Sequence, residues 1–131
     1  LPKDAVVAKE KESKEKMVAK IDEIPKDYSI FDLGPQTLAE IGHILAQAKT
    51  IIWNGPVGYF ENSNFRDGTD FIYYSITHNQ QAISVVGGGD TLAAISKKEY
   101  LEKITHISTG GGAMLEYIEK GMLPGIEALK N

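Results

Sequence analysis

The chain has 131 residues, 42% of them hydrophobic, with 18 acidic against 14 basic side chains and a formal net charge of −4. That describes one domain or part of one, able to bury a core and carrying no basic stripe that would recommend nucleic acid. Cysteine is absent, which excludes a disulfide framework or thiolate metal site and is compatible with a reducing cytoplasm; no apolar run approaches the roughly 18 residues of a membrane helix.

The chain opens on Leu1-Pro2-Lys3-Asp4, without an initiator Met or a signal-peptide core, and reads as a piece cut from something longer. Ala5-Val6-Val7-Ala8 is short and β-like. The charged stretch from Lys9 to Glu23 admits two readings. Glu10/Lys14 and Glu12/Lys16 fall at helical i,i+4 spacing, whereas Met17 to Ile21 would serve as the second strand of a hairpin.

Tyr28 to Asp32 reads as a strand ended by Gly34-Pro35. Leu38, Ile41, Leu45 and Ala48 then mark one apolar face of a helix, with Pro35 near its first position and Thr37 close by. Lys49 to Trp53 is a continuous apolar strand of the kind buried in a parallel sheet. Asn54-Gly55-Pro56-Val57-Gly58 punctuates it as a loop, and Gly68-Thr69 precedes a helix over Asp70 to His78. A strand over 82–86, helix over 91–100, strand over 104–108 and helix over 112–120 continue the alternation, and a turn at Leu123-Pro124-Gly125 leads to a short final helix. Alternating strands and helices predict right-handed crossovers: a three-layer α/β/α, Rossmann-like parallel sheet with helices on both faces.

In such sheets ligands sit at the carboxyl ends of the strands. Three ends share a glycine-rich composition: Asn54-Gly55-Pro56, Gly87-Gly88-Gly89-Asp90-Thr91 and Thr109-Gly110-Gly111-Gly112. A strand–glycine–helix turn exposes backbone N–H groups and the positive helix end, which suits phosphate. Two such turns on adjacent parallel strands would face one cleft and suit a chain of phosphates or a phosphoryl group in transit. No G-x-x-x-x-G-K-[ST] is present, and the dinucleotide fingerprint is incomplete.

Asp90 is the best metal candidate, since Mg²⁺ prefers one or two carboxylates plus phosphate oxygens. Its alternative role is a helix N-cap, and Thr91 shares that ambiguity. Glu61 would bond a ribose hydroxyl or face solvent. Trp53 reads as core, and His43, His78 and His106 have no partner at metal-ligand spacing.

Taken jointly, these residues resemble the phosphoglycerate kinase family. Trp53 to Glu61 is similar to its WNGPxGxFE segment, with Val57 and Tyr59 where the family often has Met and Val. Gly87 to Thr91 resembles its nucleotide-phosphate motif, and His106 to Glu116 its HxSTGGGAxLE motif. Leu123-Pro124-Gly125-Ile126 resembles its LPGI, and Asp32 to Thr37 its DxGPxT helix start. The resemblance implies a kinase that moves the phosphoryl group of 1,3-bisphosphoglycerate to MgADP, giving 3-phosphoglycerate and MgATP. It makes residues 1–131 the distal portion of the nucleotide-binding domain, an incomplete domain whose charged N-terminal stretch fits the family's variable β-hairpin better than a helix.

By position, the resemblance implies that Glu61 and Pro56 contact the ribose and Val57 lines the adenine pocket, with Asn54 near the phosphates. Gly88, Gly89, Asp90 and Thr91 would hold the nucleotide phosphates, with Asp90 on Mg²⁺. The backbone of Gly110, Gly111 and Gly112 would stabilise the group in transit, Gly89 and Gly112 being the catalytic glycines. The family's catalytic arginine and basic acceptor site belong to its N-terminal domain, and its phosphate-binding lysines to the first half of the nucleotide domain; the single arginine here, Arg66, is not assigned either role. The expected partners are adenine nucleotide and, through that other domain, 3-phosphoglycerate. The full-length protein is expected to be a cytoplasmic monomer, and the isolated segment to be inactive and prone to self-association. The competing readings are a nucleotide- or phosphate-binding module without catalysis, and a structural α/β domain whose glycines merely turn the chain.

Overall fold

The computed structural model describes residues 1–95 and 98–108. Their six strands form two sheets. β1 (Asp4–Ala8), β2 (Met17–Lys20) and β3 (Ser29–Leu33) make an antiparallel sheet in the order β2-β1-β3. β4 (Thr50–Asn54), β5 (Ile83–Gly87) and β6 (His106–Ser108) make a parallel sheet in chain order. Helices α1 (Pro35–Gln47), α2 (Asp67–His78) and α3 (Gly89–Ala94) fall between them. The fold is thus mixed α/β, a parallel sheet flanked by helices with an antiparallel sheet at the N-terminus.

The charged stretch is a hairpin: Val6 pairs with Val18 and Val7 with Met17. The helical pairs Glu10/Lys14 and Glu12/Lys16 do not form. Lys16 instead reaches Asp67 at 3.5 Å. β1 is buried along its whole length because β2 and β3 flank it, with a register shift against β3 between Val6 and Val7.

Two helix starts depend on carboxylates delivered from far along the chain. Gly34 caps α1 without a side-chain hydrogen bond, so Asp4 of β1 takes that place. Its carboxylate accepts from the Gln36 N–H at 3.0 Å, the Thr37 N–H at 2.9 Å and the Thr37 hydroxyl at 2.7 Å. A side chain at Gly34 would run into that carboxylate, so glycine is required there by close approach. α2 begins at Asp67, three residues earlier than the glycine punctuation suggested. Gly68 lies inside its first turn and donates its N–H to Asp32 of β3 at 2.9 Å. A Cβ on Gly68 would collide with Asp32, which is why a poor helix former occupies that position.

The predicted helix over 91–100 is two pieces. α3 closes at Ala94, where the Ile95 N–H bonds back to Leu92 and extended backbone takes Ile95 into the core; a 3-10 segment runs from Lys98 to Lys103. The strand predicted over 104–108 pairs only from His106, because Ser84 and Thr105 trade backbone N–H groups for hydroxyl oxygens, each at 3.0 Å. The predicted helix over 112–120, the turn at Leu123-Pro124-Gly125 and the final helix lie outside the described residues.

The main core covers one face of the parallel sheet. Ile51, Trp53 and Val86 pack with Ile72, Tyr73 and Ile76 of α2 and with Ile95 and Ile104. On the opposite face Ile52 and Ile83 are 45% and 58% exposed. A second cluster, Val6, Ala8 and Phe65 with Phe31 and Tyr59, joins the antiparallel sheet to the segment after β4.

Candidate functional site

The parallel register brings Asn54, Gly87 and Ser108 side by side at the carboxyl ends of β4, β5 and β6. The Gly88 N–H donates to the Ser108 carbonyl at 3.1 Å, lacing the first glycine turn to the end of β6. The second triplet, Gly110 to Gly112, lies outside the described residues.

The first triplet uses its glycines for different reasons. Gly88 has φ +95°, and a Cβ there would stand 2.8 Å from Asn54 Oδ1. Backbone and neighbour both demand glycine. Gly89 has no positive φ, and a Cβ on it would meet no described atom within 4 Å. Neither conformation nor packing explains that glycine; it borders open space at the start of α3.

Asp90 is exposed at the second position of α3, while Gly88 occupies the N-cap. The N-cap role considered for Asp90 therefore falls to another residue, and its carboxylate projects from the positive end of a short helix. Thr91 is fully buried and its hydroxyl accepts the Gly55 N–H at 2.6 Å, tying the loop after β4 to α3.

That loop is held residue by residue. Trp53 is buried in the core and its indole N–H donates to the Gly55 carbonyl at 2.8 Å. The Thr69 hydroxyl accepts the Val57 N–H at 3.0 Å and donates to the Val57 carbonyl at 2.6 Å. Gly58, at φ +74°, packs on Asp32, and the Tyr59 N–H donates to Phe31 at 2.7 Å. Val57, Gly58 and Tyr59 thus wall a groove of about 450 Å³ with Phe31, Asp32 and Leu33. Pro56 is half-buried beside them.

Glu61 is exposed and lines a separate groove with Lys11, Lys14, Tyr59, Asn62 and Asn64. Among the described residues no hydrogen bond or ion pair joins it to Asn54, Gly88 or Asp90. Arg66 is structural. Its guanidinium holds Asp70 through two bonds of 3.0 Å and donates to the Ala94 carbonyl at 2.9 Å, closing α3 onto α2.

Asp32 escaped sequence reasoning. It stands in a motif read as the start of α1, yet its carboxylate supports α2 and the loop at Gly58. Burial pushes its pKa up; the Gly68 and Leu33 N–H groups pull it down, the Asp67 charge adds to the rise, and Lys16 opposes it. The net direction is upward. The one available signal was the Asp in D-x-G-P-x-T, two residues before the glycine, too far forward to cap α1 itself.

A groove of about 630 Å³ runs between α1 and α2 past Gly42, Phe71, Tyr74 and His78. It opens toward the turn entering β5, the opposite end from the strand termini. No group of three or more His, Cys, Asp or Glu poised to hold a metal occurs among the described residues.

The sequence profile of the family described as phosphoglycerate kinase matches residues 1–121. The chain belongs to the phosphoglycerate kinase family. It is 48% identical over 132 aligned positions to a phosphoglycerate kinase of Dictyoglomus turgidum, covering all of this chain and 33% of that protein. It is 50% identical over 108 positions to one of Koribacter versatilis, covering 82% of this chain and 27% of that protein. Among solved structures, phosphoglycerate kinase from Coxiella burnetii superposes at a TM-score of 0.86 with 44% identity, over 97% of this chain and 33% of that one. The enzyme from Pyrococcus horikoshii gives 0.79 and 36%, over 98% and 32%. The chain therefore spans about a third of the length of the phosphoglycerate kinases it matches. Among the described residues no helix is long and apolar enough to cross a membrane.

Proposed function

We propose that residues 1–131 form the distal portion of the nucleotide-binding domain of a phosphoglycerate kinase, a phosphotransferase acting on a carboxyl acceptor. The reaction is reversible transfer of the phosphoryl group of 1,3-bisphosphoglycerate to MgADP, in the cytoplasm, by a monomeric full-length protein. The observation that supports this best is the open backbone at Gly89, beside a carboxylate, where three parallel strand ends meet. Phosphoryl transfer asks little covalent chemistry of the protein; it needs positioning and charge stabilisation.

In this reading Asn54, Gly88 and Gly89 approach the nucleotide phosphates, and Val57 and Pro56 face the base and ribose with Glu61. Thr91 acts through Gly55, whose N–H it holds. Gly110, Gly111 and Gly112 stabilise the group in transit, on the strength of their motif. Asp90, exposed beside the first triplet, would give one carboxylate to a Mg²⁺ that arrives with the nucleotide, an ion that prefers one or two carboxylates together with phosphate oxygens. When bound, the ion neutralises charge on the phosphates. 3-Phosphoglycerate binds through a domain outside this segment.

The test is 3-phosphoglycerate-dependent ATP consumption by the full-length protein with and without Mg²⁺. Asp90→Ala is expected to lower kcat with little change in melting temperature. Nucleotide binding without acceptor-dependent turnover would support a binding module instead, and absence of both would support a structural domain.

A further inference from the structure

The segment from Phe60 to Asn64 has a second set of ties, to the tip of the β1–β2 hairpin about 50 residues earlier. The Asn62 carboxamide donates to the Lys11 carbonyl at 2.9 Å and the Ser13 carbonyl at 3.0 Å. The Asn64 carboxamide donates to the Ser13 carbonyl at 3.2 Å and the Lys14 carbonyl at 3.0 Å. Lys16 returns a bond to the Asn64 carbonyl at 3.3 Å, and the Lys11 ammonium lies 5.9 Å from the centre of the Tyr59 ring. The Asn62 oxygen meanwhile accepts the Asn64 N–H at 2.9 Å and caps the short 3-10 turn Ser63–Phe65. Each asparagine thus binds the hairpin through its amide protons, while Asn62 shapes its own turn through its oxygen.

These bonds surround an exposed side chain. Glu61 stands between Tyr59, pinned to Phe31, and Asn62, pinned to the hairpin. An exposed, long carboxylate loses rotamer freedom when it grips a ligand, so a fixed backbone beneath it lowers the cost of binding. The hairpin tip itself packs no apolar residue into either core cluster. Its attachment to the loop is therefore not needed to bury hydrophobic surface.

We infer that Asn62 and Asn64 are positioning residues for Glu61, holding the nucleotide-site loop against the hairpin so that the carboxylate meets the ribose hydroxyls. This rests on the ribose role proposed for Glu61. Asn62→Asp isolates the contact, because Asp keeps the oxygen that caps the turn and loses both donors to the hairpin. Replacing residues 10–15 by Asn-Gly removes the acceptors from the other side and leaves the loop sequence intact.

The experiment compares MgADP with its 2′- and 3′-deoxy analogues in the full-length protein, alongside Glu61→Gln. The expectation is a KM for MgADP raised about tenfold by Asn62→Asp, the scale of one weakened charge-assisted hydrogen bond, with kcat within about twofold. KM for the deoxy analogues should hardly move, so ribose selectivity is lost, and the shortened hairpin should behave alike. If Glu61→Gln abolishes selectivity but both hairpin variants retain it, the positioning role is overturned and the ribose reading stands. If Glu61→Gln leaves selectivity unchanged, the ribose reading falls and takes the positioning role with it. Equal loss toward all nucleotides in both hairpin variants, tracking melting temperature, would also overturn it in favour of a structural staple.

Discussion

The carboxylate of Asp32 accepts the backbone N–H of Gly68 at 2.9 Å across 36 residues of sequence, and the same carboxylate packs against Gly58. One buried side chain therefore fixes both the start of α2 and the path of the loop that follows β4. Its other oxygen takes the Leu33 N–H at 2.8 Å.

Asp32→Ala should lower stability by about 1–3 kcal/mol for each buried N–H left without an acceptor. Asp32→Asn, which keeps one oxygen and places an amide against the second donor, should fall between wild type and Ala. Urea melts of the full-length protein check the order. If the role is positional as well, nucleotide affinity should fall in the same order, because Val57 and Gly58 lose their support. Unchanged affinity in a destabilised variant would confine Asp32 to the fold.

The two buried aspartates should give opposite pH dependences. At Asp4 burial raises the pKa, but the hydroxyl and N–H of Thr37 and the N–H of Gln36 outweigh it, so the folded value lies below the ordinary 3.8. The unfolded chain then holds its proton more tightly, and the stability Asp4 contributes is present above 3.8 and lost as pH falls through the folded value. Asp32 is raised, chiefly by burial, so its contribution is present below 3.8 and lost as pH rises through the folded value. Denaturation midpoints across roughly pH 2 to 7 should show a shallower acid limb for Asp4→Asn. The deficit of Asp32→Asn should shrink as pH rises.

The sequence made the parallel half of this fold legible because hydrophobic runs and glycine turns are local. β4, β5, α1 and the strand-end convergence followed directly. In the antiparallel half β1 and β3 were also legible, but the charged stretch left helix and hairpin open until the family resemblance favoured the hairpin: β2 exposes Met17 and Val18 and gains its place by pairing with β1, which i,i+4 counting along one segment does not register. Helix starts set by remote carboxylates, Asp4 for α1 and Asp32 for α2, leave no local signature. At the candidate site the meeting of Asn54, Gly87 and Ser108 at adjacent strand ends was legible, but the different structural demands on the motif residues were not. Only coordinates separate Gly88, required by its backbone, from Gly89, required by neither backbone nor packing, and reveal that Thr91 is buried on Gly55.

That division predicts contrasting alanine substitutions. Gly88→Ala forces a side chain into a conformation costing of order 1–3 kcal/mol and against Asn54, so the melting temperature should drop. Gly89→Ala adds a methyl group in open space at the first position of α3 and narrows the freedom of the unfolded chain, so stability should hold or rise by about 0.4–1 kcal/mol. If Gly89 borders the nucleotide phosphates as proposed, Gly89→Ala in the full-length protein should nonetheless weaken MgADP binding or turnover, because the methyl group would stand in their approach. Calorimetry and a coupled kinase assay on both variants check this. Full activity in Gly89→Ala would remove that glycine from the site.

The 131-residue chain produced by itself should neither consume ATP with 3-phosphoglycerate nor bind MgADP tightly. It spans about a third of the kinases it matches, and phosphoryl transfer needs water excluded by closure around both substrates. Its parallel sheet also presents Ile52 and Ile83 on the face opposite the main core. Strands of parallel sheets are ordinarily covered on both faces, so such a surface favours association with another copy. Light scattering should find oligomers whose size depends on concentration, and the double substitution Ile52→Lys, Ile83→Lys should shift them toward monomer without restoring activity. A monodisperse wild-type monomer would remove the exposed face as the cause. Acceptor-dependent turnover by that monomer would show that the chain carries a complete catalytic site, against the division of labour proposed for it.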